Sequence, residues 1–187
     1  MAKSAKKKPA KKSAAKKPAK KAAKKAKKKV LAVPAGYGTV TPHVIVSPAA
    51  AALEFYKKAF GAKQGLTMPG PDGIIMHAEL KIGDSIVMFS DEMPPMPGMP
   101  ANRKTPKNAG ATTGGLMMYV KDVDAVYKKA VDAGCKPLMP PSDQFWGDRY
   151  GQVEDPYGHT WAMATHIEDL TPKQMQAKMA AMGPPPA

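Results

Sequence analysis

Apolar and polar positions follow two rhythms along this chain, one alternating and one near the helical period, and the order of the rhythms repeats once. Thr39 to Val46 alternates as a half-buried strand does. Ser47 then offers a helix N-cap, with Pro48 at the first helical position. Ala49, Ala52, Leu53, Tyr56, Ala59 and Phe60 share one helical face, and Gly61 is placed to end that helix in the left-handed conformation. A short strand is expected near Ala62 to Thr67, followed by the turn MPGPDG. Ile74 to Ile82 and Ser85 to Ser90 read as strands joined at Gly83-Asp84, a hairpin signal.

The cycle then restarts. Gly115 to Val120 reads as a strand and Asp122 as an N-cap. Val123, Val126, Tyr127, Ala130 and Val131 make an apolar helix face that Gly134 ends. Lys136 to Met139 opens another strand, and Phe145 to Val153 and His159 to Thr165 flank a turn at Asp155-Pro156-Tyr157-Gly158. The tetrapeptide YKKA recurs at Tyr56 and Tyr127; that identity is coincidence, whereas the repeated order β-α-β-β-β is the signal. Two such units, about 36–91 and 114–166, predict an α+β domain over 36–166.

Between the units, Asp91 to Thr113 has no periodicity and is rich in Pro, Met, Gly and Lys. A stretch of this kind serves as a lid or as a connector. Met93, Met96 and Met99 would pack over a ligand in the first case. After the domain, Thr171-Pro172 starts a short amphipathic helix to about Met182, and Gly183-Pro-Pro-Pro ends it, so that 170–187 forms a C-terminal appendage.

Charge changes the picture at the N-terminus. Met1 to Lys29 holds fifteen lysines and no acid, in a background of Ala, Pro and Ser. Of the 29 basic residues only 14 lie beyond it, against 15 acids, so the net +14 belongs to this one segment. It has no apolar residue larger than Ala beyond Met1, and is expected to be disordered. Its composition resembles the lysine-rich tails of linker histones and bacterial histone-like proteins. The expected partner is nucleic-acid backbone, met through counterion release by Lys6, Lys7, Lys8, Lys11, Lys12, Lys16, Lys17, Lys20, Lys21, Lys24, Lys25, Lys27, Lys28 and Lys29. A solubilising tail is the alternative. The segment lacks the apolar core of a secretory signal, the arginines of a transit peptide and the anchor of a membrane-surface helix.

No apolar run reaches membrane-spanning length, so no membrane partner is expected. The single cysteine, Cys135, rules out an internal disulfide, suggests a reducing compartment and reads as a small buried thiol rather than a nucleophile. The expected location is the cytoplasm, with nucleoid association if the tail binds DNA.

Four segments carry a family resemblance: TPHVIVSPAAAALEFYKKAFGA, HAELKIGDSIVMFSDE, MYVKDVDAVYKKAVDAG and DQFWGDRYGQVEDPYGHTWAMATH. In order and spacing they resemble the vicinal oxygen chelate superfamily of glyoxalases, bleomycin-resistance proteins and dioxygenases, and within it the PhnB-like branch. The resemblance implies two βαβββ modules whose mixed sheets curl around a shared cavity, and a homodimer. In metal-using members the ligands come from the first and last strands of each module. The matching positions here are Thr41, Met88 or a neighbour, Gly115 and Ala162, which is not a divalent-metal set.

The expectation is therefore a domain that binds an unidentified small organic ligand with the usual metal site lost and no cofactor. Thr41, His43, Met88, Met117, Trp146, Arg149 and Tyr150 are the expected ligand contacts, with Trp146 and Tyr150 stacking on a planar group and Arg149 taking a carboxylate or phosphate. In the alternative to that last pairing, Arg149 pairs with Asp148 in a turn. His43, His77 and Glu79 are the candidate catalytic residues. Strand alternation puts His77 and Glu79 on one face, so an enzyme with a relocated three-ligand metal site, acting as lyase, isomerase or dioxygenase, is a second reading. An architectural nucleic-acid-associated protein that dimerises through the body is a third. No Ser-His-Asp pattern, P-loop or dinucleotide fingerprint is present.

Overall fold

The computed structural model describes Met1 and residues 32–94, 103–112 and 114–181. The lysine-rich segment, Met96, Met99 and the Gly183-Pro-Pro-Pro end lie outside the described residues, so the expectations placed on them stay as such. The chain divides into two units between Ala32 and Val33, and among the described residues every strand and helix belongs to the second.

The first module runs β1 (His43–Ile45), α1 (Ala49–Phe60), β2 (Lys63–Pro69), β3 (Ile75–Ile82) and β4 (Ser85–Ser90). A short helix α2 (Pro106–Ala109) follows. The second module runs β5 (Gly115–Tyr119), α3 (Val123–Ala133), β6 (Lys136–Asp143), β7 (Asp148–Glu154) and β8 (Thr160–His166), and α4 (Pro172–Ala181) ends the described chain. Each module is one mixed sheet, ordered β1-β4-β3-β2 and β5-β8-β7-β6, in which only the first and last strands pair in parallel. The fold is α+β as expected, with one refinement: the strands form two separate four-stranded sheets, and neither closes.

The helices sit where their patterns put them. The apolar face of α1 is buried through Ala49, Ala52, Leu53, Tyr56 and Ala59, and Gly61 and Gly134 end α1 and α3 in the left-handed conformation. One core joins the modules, since Tyr56, Phe89 and Leu80 of the first belong to the same buried cluster as Val153, Trp161 and Met163 of the second. Tyr56 stacks on Phe60 at 6.0 Å, and Phe60 meets Trp161 at 4.5 Å. Burying a large apolar side chain contributes about 2 kcal/mol, so this aromatic group is a main source of cohesion.

Several boundaries differ from expectation. The first strand is three residues long, because residues 39–42 take no ladder position. The N-cap of α1 is Pro48, not Ser47, and Pro48 has no side-chain donor or acceptor to offer. Asp91 substitutes for it: its Oδ1 accepts from the Ala49 N–H at 2.8 Å and the Ser47 hydroxyl at 3.1 Å, and its Oδ2 from the Ile75 N–H at 2.8 Å. The strand expected from Phe145 begins at Asp148, since Gln144 to Gly147 form the turn. The stretch expected to be irregular contains α2, capped by the Thr105 hydroxyl and tied down by Glu92, which accepts from the Thr105 N–H and from Asn108 Nδ2. Cys135 is buried, and that burial pushes its thiol up to about 12, in keeping with an inert side chain.

Candidate functional site

Strand pairing sorts the side chains of each sheet into rows. In the first module Val44, Phe89 and Ala78 make a row that faces α1 and the core. The neighbouring row, His43, Met88 and Glu79, therefore lies on the other, open face, joined by His77 and Ser90. The three residues singled out as catalytic candidates are brought to one face. The ring centroids of His43 and His77 are 6.2 Å apart, and His77 Nε2 lies 3.2 Å from Glu79 Oε1.

Residues that the sequence did not flag complete this face. The Tyr37 hydroxyl donates to Glu79 Oε1. That bond holds Glu79 below the usual carboxylate range against the opposing effect of its burial, and it raises Tyr37 in return. Arg103 Nη2 donates to the Ser90 hydroxyl at 2.7 Å and stands 3.5 Å from His43 Nε2. Packing around the His43 ring, then Arg103 and His77, push its pKa below the ordinary imidazole value. Because an ionised carboxylate only accepts, His77 donates to it through Nε2.

His77 and Glu79 are in mutual contact, and His43 stands apart from that pair. Among the described residues no group of three or more His, Cys, Asp or Glu is arranged to hold a metal ion. At the positions that the resemblance marks for ligands, Thr41 turns its hydroxyl to the Gly38 carbonyl at 3.3 Å, and Met88, Gly115 and Ala162 supply a thioether, no side chain and a methyl group. That donor set does not fit a divalent cation.

The second module presents a different open face. Met117, Ala162 and Gln152 form one row, and Tyr119, Ala164 and Tyr150 the next. A cavity of about 390 Å³ lies over this face, lined among others by Gly115, Met117, Tyr150, Gln152, Thr160 and Ala162. Thr112, Gly114, Gly115, Leu116 and Thr160 also line a second cavity of about 520 Å³, whose wall includes His43, Lys104 and His159. His159 Nε2 donates to the Ile45 carbonyl at 2.8 Å, which ties the first strand of one module to the last hairpin of the other.

Met117 and Tyr150 line the smaller of these two cavities, and His43 lines the larger. Trp146 and Arg149 do not join them. Trp146 packs edge-on to Tyr150 at 5.6 Å and donates through Nε1 to Asp148 at 3.1 Å. Arg149 points the other way, because alternate residues of β7 face opposite sides. It grips Asp124 of α3 with two bonds of 2.7 Å and Asp143 with one of 2.9 Å. Asp148 is not its partner; that buried carboxylate accepts from Tyr119, Trp146 and His166. Asp155, read in the sequence only as part of a turn, is buried and accepts from the Tyr56 hydroxyl, Trp161 Nε1 and the Tyr157 and His159 N–H groups.

Some of these roles had a signal in the sequence. Gln152 stands two residues from Tyr150 and so shares its strand face. Tyr37 and the Asp155–Tyr56 contact had none, because the partners lie 42 and 99 residues apart along the chain.

Comparison with known proteins agrees with this geometry. The family model described as Glyoxalase/Bleomycin resistance protein/Dioxygenase superfamily matches residues 37–163. An uncharacterized protein of Mycobacterium tuberculosis H37Rv is 40% identical over 144 residues, covering 77% of this chain and 84% of its own length. TioX from Micromonospora sp. ML1 superposes with a TM-score of 0.56 at 27% identity, over 70% of this chain and 100% of TioX. The putative 3-demethylubiquinone-9 3-methyltransferase, PhnB protein, from Bacillus cereus shares the fold, with a TM-score of 0.51 at 14% identity over 68% of this chain and 99% of that one. From strand order through open faces to family model, the chain belongs to the Glyoxalase/Bleomycin resistance protein/Dioxygenase superfamily.

Proposed function

We propose that this protein binds a small organic ligand across the junction of its two modules without the family's usual metal, and that its lysine-rich segment holds it to nucleic acid or another polyanion. The observation that carries the reading is the pair of neighbouring cavities, about 520 and 390 Å³, each of a size that suits a small organic molecule. The lack of carboxylate and imidazole at Thr41, Met88, Gly115 and Ala162 supports the metal-free part. The expected result of elemental analysis on the purified full chain is no bound metal, and no thermal shift with Ni, Zn, Mn or Fe. Stoichiometric metal that is lost in His43→Ala or His77→Ala overturns it.

A catalytic reading has an observation of its own, the contact of His77 with Glu79 and of Glu79 with Tyr37 on an open face. Glu79 would orient His77, and His77 Nδ1 would act as a general base. Turnover in a glyoxalase or dioxygenase screen that His77→Gln removes would favour this reading over the first.

A second copy of the chain is the proposed partner of the body. Met117 and Tyr119 are 47% and 66% exposed on the open face of the second sheet, and a copy seated there would cover them and enclose the ligand. Two chains would also present two lysine-rich segments to one polyanion. Nucleoid association follows from that part of the proposal. Deleting residues 1–29 is expected to abolish DNA retardation and to leave the unfolding transition of the body intact. A shortened chain that still retards DNA overturns the two-part reading.

A further inference from the structure

A third cavity, of about 950 Å³, is larger than the two described above and shares only Leu116 and Met117 with them. Residues 36–42 contribute one wall, the β3–β4 hairpin from Ile82 to Val87 a second, and β5 with α3 a third. Its inner end is core: Trp161 is 3% exposed, Phe60 meets it at 4.5 Å between ring centroids, and Val126 is half-buried. Its outer end is apolar surface in contact with water, since Val40 is 87% and Tyr119 66% exposed. Protein interiors are close-packed, so a space of this volume between packed elements is on the scale of a ligand pocket and not of a packing defect.

The polar groups around this cavity are few and mostly committed. The Tyr37 hydroxyl donates to Glu79, the Tyr119 hydroxyl to Asp148 at 3.0 Å, and Trp161 Nε1 to Asp155 at 2.9 Å. These three side chains therefore offer the cavity their rings and not a hydrogen bond. A phenol that donates to a carboxylate has an electron-richer ring, which is a better seat for a cation. Among the described residues no Lys, Arg or His lines the cavity. The one charged side chain on its wall is Asp84, at the exposed turn of the hairpin. Asp84 Oδ1 accepts from the Ser85 hydroxyl at 2.9 Å, which leaves Oδ2 to a ligand. An anion entering here would give up its water and meet no cation in exchange.

We propose that this cavity is a second binding site and that it takes a hydrophobic amine. The apolar body of the amine lies against Phe60, Val126 and Trp161. Its ammonium stays at the outer end toward Asp84, where it keeps part of its hydration. The ligand also takes the apolar surface of Val40 and Tyr119 out of water. This site goes beyond the reading given for the two smaller cavities and does not depend on it. A second copy of the chain, seated on Met117 and Tyr119, is the competing occupant.

The test uses the full chain and three probes of similar shape: 2-naphthylmethylamine, the uncharged 2-naphthylmethanol and the anionic 2-naphthoate. Methyl-labelled methionine spectra give both place and affinity, because Met118 lines this cavity and neither of the other two. At Met118 the amine is expected to bind about two- to fivefold tighter than the alcohol, the size of one exposed charge pair, and the acid to bind weakest. In Asp84→Asn the ratio of amine to alcohol is expected to fall to near one while the alcohol keeps its affinity. Val126→Trp fills the inner end and is expected to weaken all three probes together. Ile86→Trp fills the cavity from the hairpin side and replaces it if the helix variant does not fold.

An acid that binds at Met118 as tightly as the amine overturns the proposed ligand class. Probes that move Met117 and leave Met118 unmoved occupy the smaller cavity, which overturns the second site and leaves the first reading standing. If Met118 responds to dilution of the chain and to no probe, the occupant is a second copy and the proposal falls. It falls as well if no probe moves Met118 while the melting transition is intact.

Discussion

The two modules share one topology and place different chemistry at matching positions. His43 stands six residues before the start of α1 and Met117 six before the start of α3. From these anchors the open-face row His43, Met88, Glu79 in the first module corresponds to Met117, Ala162, Gln152 in the second. One row carries an imidazole and a carboxylate, the other a thioether, a methyl and an amide. The backbone architecture is the same in both halves while the open faces differ in chemistry.

The helix caps show the same division in a structural role. In the first module Asp91, just past β4, accepts from the first N–H of α1. In the second the Thr165 hydroxyl of β8 accepts from the first N–H of α3 at 2.9 Å and donates to the Val120 carbonyl at 3.0 Å. Both solve the problem of unpaired N–H groups at a helix start, one with a charge and one with a hydroxyl.

The strongest way to break the comparison is to remove what joins the modules. Asp155 lies in the second module and accepts from Tyr56 in the first, as well as from Trp161 and two backbone N–H groups. Asp155→Ala leaves those donors without their acceptor in a dry site, which costs about 3 kcal/mol or more. Urea unfolding measures it, and the loss is expected to appear as one cooperative transition moved to lower denaturant. Two separated transitions would mean that the modules fold as independent halves.

A sharper contrast comes from the repeated YKKA. Tyr56 stands seven residues beyond Ala49, and Tyr127 four beyond Val123, so the two tyrosines are not matching positions. Tyr56 is buried with its hydroxyl on Asp155 at 2.7 Å, whereas the Tyr127 hydroxyl is shielded from solvent and has no partner among the described residues. Tyr56→Phe is expected to cost about 1 kcal/mol, and Tyr127→Phe to be neutral or to stabilise by up to about 1 kcal/mol. Equal losses in the two variants would show that Tyr127 does find a partner.

How much of this was legible in the sequence depends on the range of the forces involved. Helix faces, the Gly61 and Gly134 caps, the Asp122 cap and the Gly83-Asp84 hairpin are local features, and each is found where the pattern put it. The gathering of His43, His77 and Glu79 was half legible: alternation placed His77 beside Glu79, but the bond from Tyr37 to Glu79 spans 42 residues of chain. Arg149 was misplaced for a physical reason. Its neighbours Trp146 and Tyr150 suggested one cluster, but Asp124 on a separate helix outcompetes that site for the guanidinium with two bonds. Gly147 was part of the same misjudged stretch. Its φ of +96° and the Glu168 carbonyl beside it make the turn that starts β7 only at Asp148.

The smallest expected effect separates the modules by the sign of their pH dependence. His43 has its pKa lowered by the packing around it, by Arg103 and by His77, whereas His166 has its pKa raised, first by its bond to Asp148 at 2.7 Å and then by Asp169 at 3.1 Å. Both start from an ordinary value of 6.5. Below that value the unfolded chain binds a proton at residue 43 that the folded chain resists, so stability is lost as pH falls toward the lowered pKa of His43. Above it the folded chain holds a proton at residue 166 that the unfolded chain releases, so stability is lost as pH rises through the raised pKa of His166. The two slopes meet near the ordinary imidazole value. The melting temperature is therefore expected to have a shallow maximum there, whose acid side flattens in His43→Gln and whose alkaline side flattens in His166→Gln. Salt is expected to weaken the alkaline side more, because His166 and Asp169 are exposed to solvent. If each variant instead flattened the opposite side, the charges around the two histidines would have the reverse balance, and the assignment of a cationic environment to His43 would fail along with it.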